Sequence, residues 1–302
     1  MPLILEISTD NRIVSSADNQ IIVRQQNEVV AAIAMREVAA VLVTANEVLF
    51  ERNFLQNLSA KNIPFVISDK NFRPISLHTP FFYAENNGKI CFQQAETKSG
   101  LYKKIWQAVI SEKVKNRAKV LRSLHKKDML QKLANKILIG DSRNIDDKSE
   151  NIYFSEMFGA DFQFTFQSAG INAFLQYGYL LLQIIALRYI WKQGLNPYIH
   201  LNPKQKSDYF GLPEDLTEPF KPLIEKSVYE IFVRDKLPDN QLLTSEYKAE
   251  MLRLFNKTYY DGKRLISLFE LIKNTTSGLA STLRKNEMRL TFSNYLIEVK
   301  EM

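Results

Sequence analysis

A chain of 302 residues, 45% of them apolar, is long enough for one large domain or two ordinary ones, each with its own core. Its single cysteine, Cys91, excludes an internal disulfide framework and, with only three histidines, the usual four-ligand structural zinc site; a reducing cytoplasm suits such a chain. Forty Lys and Arg against 33 Asp and Glu give a formal charge of +7, which favours a polyanionic partner, and no run reaches the roughly 18 consecutive apolar residues of a membrane span, so no membrane association is expected.

The opening MPLILEISTD has no basic segment followed by an apolar run, so no secretory leader is predicted. Up to about Asp69, the runs LILEIS, RIVSSA, QIIVRQQ, VVAAIAM, VAAVLVT and IPFVISD alternate or stay apolar over strand lengths, with polar breaks such as Asp18-Asn19 and Gln26-Asn27. One helical segment, LFERNFLQNLSAKN from Leu49, places Leu49, Phe50, Phe54, Leu55 and Leu58 on one face. These observations predict a β-rich N-terminal domain over residues 1–80.

Residues 81–100, with the Asn86-Asn87-Gly88 turn and one weak strand, ICFQQ, are predicted to be a linker. Beyond it the apolar period becomes helical, near 101–138, 168–193, 214–234 and 244–273, which predicts a larger all-α domain over 101–302. The expected class is α+β, an N-terminal sheet with a short helix followed by the helical domain.

The segment LYKKIWQAVISEKVKNRAKVLRSLHKK at 101–127 holds nine Lys or Arg and a single acid, Glu112, a local excess of +8. Apolar Ile105, Ala108, Val109, Val114, Ala118 and Leu121 recur at helical spacing, so one side packs while Lys103, Lys104, Lys115, Lys119 and Arg122 are left to face outward. A solvated face is one reading. A solubilising face normally mixes both signs, however, and an unbalanced basic run fits contact with a nucleic-acid phosphate backbone.

Several blocks in order along the chain resemble the CRISPR-associated protein one family, the spacer-acquisition integrase and endonuclease of type II-like CRISPR systems. IAMREVAAVLV at 33–43 is similar to the family's strand entry, and AKNIPFVISDKNFRPISL at 60–77 to the segment that closes its β-domain. The basic helix is similar to the family's Lys/Gln-rich helix, GDSRNIDDKSENIYF at 140–154 to its Gly-Asp, Asn-Arg-Glu, Tyr-Phe block, and INAFLQYGYLLL at 171–182 to its Asn-Tyr-Gly-Tyr helix. GLNPYIHLNP at 194–203 and GLPEDLTEPFKP at 211–222 match its Gly-Leu-x-Pro turn and its Asp-Leu-x-Glu-Pro-Phe-x-Pro signature, the most specific block of all.

The resemblance implies transesterification by a DNA 3′-hydroxyl at a Mg2+ or Mn2+ ion held by Glu, His and a further carboxylate. Carried across, it assigns metal and catalytic roles to Asp146, at the family's glutamate, and to Glu218, with Asp215 one helical turn before it as a further metal candidate. Aspartate sets the carboxylate back by roughly 1.5 Å, a displacement that can cost about a hundredfold in rate. Asp147 and Glu150 are near enough in sequence to compensate, or belong to a solvated acidic helix start; for Asp215 and Glu214 the alternative is charge complementing a helix N-terminus.

Counting from Gly194-Leu195 and from Glu218-Pro219 both put Pro203 at the family's histidine. His200 is the nearest substitute as catalytic and metal residue, its alternative being a satisfied or exposed histidine. Tyr153, Asn172, Tyr177 and Tyr179 match recurrent positions and are expected to fix the helices around the site. The implied partners are prespacer DNA and the CRISPR repeat and leader, a second copy in a homodimer, and CRISPR-associated protein two. Two functions follow: a metal-dependent DNA integrase/endonuclease that inserts prespacers into the array, or an impaired copy that remains as a DNA-binding scaffold of the adaptation complex.

Overall fold

Period-two runs at the N-terminus become two four-stranded sheets. The computed structural model describes residues 2–79, 87–205, 210–261 and 263–293, and the chain divides into two units, Met1–Glu85 and Asn86–Met302. In the first unit the order is β1 (Leu3–Ile7), β2 (Arg12–Ala17), β3 (Gln20–Gln25), β4 (Glu28–Ala34), β5 (Val38–Val43), β6 (Val48–Phe50), α1 (Arg52–Ala60), β7 (Phe65–Ser68) and β8 (Pro74–His78).

One sheet runs β1-β5-β7-β8, with parallel β1/β5 and β5/β7 pairs and an antiparallel β8 at its edge; the other runs β4-β3-β2-β6. VAAVLV is buried at every position, which suits a central parallel strand covered on both faces. Asp18 and Asn19 both take left-handed φ, 50° and 59°, and turn β2 into β3. Phe54 and Leu58 of α1 enter the core beside Val14, Ile21 and Val41, and the Phe50 and Phe65 rings meet edge-on at 5.0 Å.

The second unit contains α2 (Asn87–Glu96), α3 (Ser99–Ser123), α4 (Leu130–Ala134), α5 (Ile145–Phe158), α6 (Gly170–Lys192), α7 (Gly211–Thr217), α8 (Lys221–Asp235), α9 (Ser245–Arg253), a ribbon of β9 (Thr258–Tyr260) and β10 (Leu265–Ser267), and α10 (Leu268–Lys285). The architecture is α+β, a β-sheet region followed by a mostly helical part. α6 is long and apolar enough to cross a membrane, but 89% of its apolar window is buried inside the protein, so it is the axis of a core. Gly178 lets α8 approach it: a Cβ there would lie 2.3 Å from Ile224 Cγ2.

Three segments differ from expectation. The helix read from Leu49 begins only at Arg52, because Leu49 and Phe50 belong to β6, where Leu49 is exposed. ICFQQ lies within α2 and is not a strand, because Ile90 and Gln94, one turn apart, are both buried, and Gln94 exchanges hydrogen bonds with the backbone of Asn196 at 2.7 and 3.1 Å. The helix predicted over 244–273 is interrupted by the β9–β10 ribbon. Thr258-Tyr259-Tyr260 and Leu265-Ile266 favour strands, and Asp261 closes the turn by accepting from the N–H groups of Lys263 and Arg264.

Candidate functional site

Three elements of the helical unit bring charge into its interior. α3 contributes Lys113 and Arg117, one turn apart on one face and both buried. α5 contributes Asp146 and Glu150, again one turn apart. Its start is set by buried Asp141, whose carboxylate accepts from the N–H groups of Ile145 at 2.8 Å and Asp146 at 3.1 Å. The third contribution is Glu218, in the 3-10 turn Glu218–Phe220 that separates α7 from α8. Prolines 219 and 222 impose that break, and Asn116 of α3 ties it down by donating to the Pro219 carbonyl at 2.9 Å.

The carboxylates converge on an ammonium. Lys113 Nζ lies 2.9 Å from Asp146 Oδ1, 2.7 Å from Glu218 Oε2 and 3.3 Å from Glu150 Oε2. One turn along α3, Arg117 Nη2 lies 3.1 Å from both Glu150 and the fully buried Glu225 of α8, and its guanidinium stands 4.9 Å from the Tyr153 ring centre. The Tyr179 hydroxyl donates to Glu225 at 2.8 Å. Lys221 pairs with the other oxygen of Glu218 and sits 5.0 Å over the Tyr179 ring.

These neighbours set the ionisation. Burial opposes the charge on Glu218, but Lys113 and Lys221 outweigh it and hold the group down at about 2. Burial likewise opposes the Lys113 ammonium, and Asp146 and Glu218 raise it well above the ordinary lysine value. Asp146 is raised, first by burial and then by the nearby Glu218 charge against the pull of Lys113. Glu150 is pushed far down despite burial, by Lys113 and Arg117.

Of the residues singled out from sequence, Asp146 and Glu218 meet here, and Glu150 joins them while Asp147 is exposed. His200 and Asp215 are occupied elsewhere. Asp215 Oδ2 accepts from the N–H groups of Leu201 at 2.7 Å and Asn202 at 3.0 Å, and His200 Nδ1 stands 3.5 Å from that same oxygen. The imidazole packs against Gly211, where a Cβ would come 1.6 Å from its Cε1. Pro203 lies in a turn, and the next residue, Lys204, donates to the Asp141 carbonyl at 2.9 Å and to the Asn144 side chain, lashing this loop to the start of α5.

Tyr153 and Tyr179 flank Arg117 and Glu225. Asn172 instead fixes the strand-like loop at Gln163 and Thr165, and buried Tyr177 receives Lys248 at 5.6 Å from its ring centre. On the outer side of α3, Lys103, Lys104 and Arg122 are exposed and Lys115 and Lys119 half-buried. The reading of the basic run as unbalanced needs correction: Lys113 and Arg117 turn inward onto carboxylates, Glu112 lies 4.0 Å from both Lys115 and Lys119, and Arg122 pairs with Asp128. Lys113, Arg117, Lys221 and Glu225 were missed as site residues. Their sequence signal was charge repeating at helical spacing opposite carboxylates that also repeat at helical spacing.

A hard divalent ion needs several oxygen ligands. Here the point where Asp146 and Glu218 meet is held by the Lys113 ammonium, which would have to leave before a dication could take the same place. Among the described residues, no three His, Cys, Asp or Glu side chains stand together so as to hold a metal ion. The residues present do not fit Mg2+ or Mn2+.

Known proteins resemble the chain over most of its length. Residues 5–259 match the family model described as CRISPR associated protein Cas1. The CRISPR-associated endonuclease Cas1 of Neisseria meningitidis serogroup C (strain 8013) is 24% identical over 269 residues, 87% of each chain. Among solved structures, a casposase bound to integration product superposes with a TM-score of 0.84 at 16% identity, covering 100% of this chain and 96% of the other. A CAS1 protein from Thermotoga maritima gives 0.77 at 18%, covering 95% and 99%. A Cas6-RT-Cas1–Cas2 complex gives 0.77 at 18%, and there this chain spans 36% of its counterpart.

Proposed function

This chain belongs to the CRISPR associated Cas1 family, and we propose that it serves CRISPR adaptation as a DNA-holding subunit whose strand-transfer centre has lapsed. One observation carries the second half of that statement: Lys113 Nζ lies within 3.3 Å of Asp146, Glu150 and Glu218, at the point a divalent ion would need, and Pro203 stands where the family places an imidazole. The Asp146 and Glu218 carboxylates are neutralised inside the protein and do not address a phosphate.

The outer side of α3 supports the first half. Lys103, Lys104, Lys115, Lys119 and Arg122 lie along one helix, where ammonium and guanidinium groups meet successive phosphates of a prespacer duplex, with a second copy of the chain and CRISPR-associated protein two completing the complex. Such binding weakens with salt in proportion to the phosphates neutralised, by about 0.9 in log–log slope for each. A flat plot removes the phosphate contacts from the proposal.

A second reading is favoured by the meeting of Asp146 and Glu218, contributed from blocks 72 residues apart in sequence, on a single atom. It makes the protein a Mg2+- or Mn2+-dependent integrase and endonuclease acting by transesterification. A strand-transfer assay with Mn2+, a short duplex bearing 3′-hydroxyl ends and a supercoiled acceptor decides between the two. The lapsed subunit binds the duplex and yields no more joined product than Glu218→Ala. Wild-type product that disappears in Glu218→Ala establishes the integrase.

A further inference from the structure

We propose that the Lys113 ammonium is the resident cation of the carboxylate cluster and takes the place of a divalent ion, so that the helical unit folds and holds its charges without metal. The inference rests on the reading of this site as a lapsed strand-transfer centre and names what occupies it.

Lys113 is not a surface side chain swung inward. It is 3% exposed and lies in the middle of the 25-residue α3, between buried Val109 and Arg117 on the same face. Its ammonium donates to Asp146 Oδ2 at 3.2 Å and Glu150 Oε2 at 3.3 Å and makes ion-pair contacts with Asp146 Oδ1 at 2.9 Å and Glu218 Oε2 at 2.7 Å, from α5 and from the break before α8. The cation therefore matches its shell in sign and in distance.

The carboxylates of Asp146, Glu150, Glu214, Glu218 and Glu225 face Lys113, Arg117 and Lys221, so Lys113 is one of three cations that hold five acids in place. At the rim, the Lys204 ammonium ties the loop that carries Pro203 to the first turn of α5, so this side of the cluster is closed by another lysine.

The test is direct Mn2+ binding, read by the loss of the free-ion electron paramagnetic resonance signal, with thermal unfolding followed by tryptophan fluorescence. Both tryptophans, Trp106 and Trp191, are buried in the helical unit. The wild-type protein is expected to leave the Mn2+ signal unchanged, and neither chelator nor about 1 mM Mn2+ should move its Tm by more than about 1 °C. Lys113→Met should gain Mn2+ binding and a metal-dependent rise of roughly 5 °C, while Lys113→Arg stays blind to metal.

Tight binding of Mn2+ by the wild-type protein that is lost in Glu218→Gln overturns the proposal, and this measurement needs no destabilised variant. A folded Lys113→Met that gains no Mn2+ site overturns it as well. Binding of labelled duplex at low salt, measured on the same samples, keeps the two levels apart. Absence of DNA binding defeats the adaptation reading whatever the metal result, and metal binding defeats the lysine proposal whatever the DNA result.

Discussion

The two units bury different things. Among the described residues, the buried polar side chains of the β-rich unit are Ser15, Ser16 and Ser68, whereas the helical unit encloses Lys113, Arg117, Asp141, Asp215, Glu218 and Glu225. A core of Val14, Ile21, Val41, Phe54 and Leu58 needs only apolar contact. A core that contains two cations and four acids survives only where each charge meets a counter-charge or, as for Asp141 and Asp215, backbone N–H donors, because burying any one of them alone costs several kcal/mol. The first unit is built for packing. The second has a charge network that packing does not require, and it coincides with the blocks that resemble a nucleic-acid enzyme.

The largest effect should come from opening that network. Arg117→Met leaves the fully buried Glu225 without its ion pair and is expected to cost about 3–5 kcal/mol, read as a fall in the urea midpoint of tryptophan fluorescence. Adding Glu225→Leu should recover most of the loss, because two apolar groups replace two buried charges. If the double variant is no more stable than the single one, Arg117 supports the helices through its packing on Tyr153 and Phe154 and not through its charge.

The same size of change in the other unit should behave differently. Leu58→Ala empties part of the core beneath α1, where Leu58 is fully buried, and is expected to cost about 2–4 kcal/mol. Since neither tryptophan lies in that unit, the loss should appear in far-ultraviolet circular dichroism while the fluorescence midpoint stays in place. A shift of both signals together would mean that the units unfold as one.

Much of this contrast was legible in the sequence, for physical reasons that differ by region. Strand alternation has a short period and little competition, so VAAVLV and IPFVISD announced β5 and β7 without help. ICFQQ was misread because four or five residues cannot separate a buried helix face from a strand, and what decides it, Gln94 reaching Asn196, lies about a hundred residues away. Block order put Asp146 and Glu218 together. It could not show that Lys113 lies between them, since a lysine within a run of lysines looks like surface until the facing carboxylates of α5 and of the turn before α8 are placed. His200 had a histidine's usual ambiguity, and only Gly211 and Asp215 show that it is packed into its own loop.

The smallest effect belongs to a part of the helical unit that carries no buried charge. Ser267 begins α10 with a capping box: its hydroxyl accepts from the Glu270 N–H at 3.3 Å, and the Glu270 carboxylate accepts from the Ser267 N–H at 3.2 Å. Each bond satisfies a donor that the first helical turn leaves without a partner. Ser267→Ala removes one of the two, so it should cost about 1 kcal/mol and lower the fluorescence midpoint by a fraction of the Arg117→Met shift. Duplex binding should not change, because α10 contributes none of the basic side chains of α3. A loss of DNA affinity in Ser267→Ala would mean that the duplex contact extends beyond α3, and the division of labour between packed and charged regions would have to be redrawn to include this end of the helical unit.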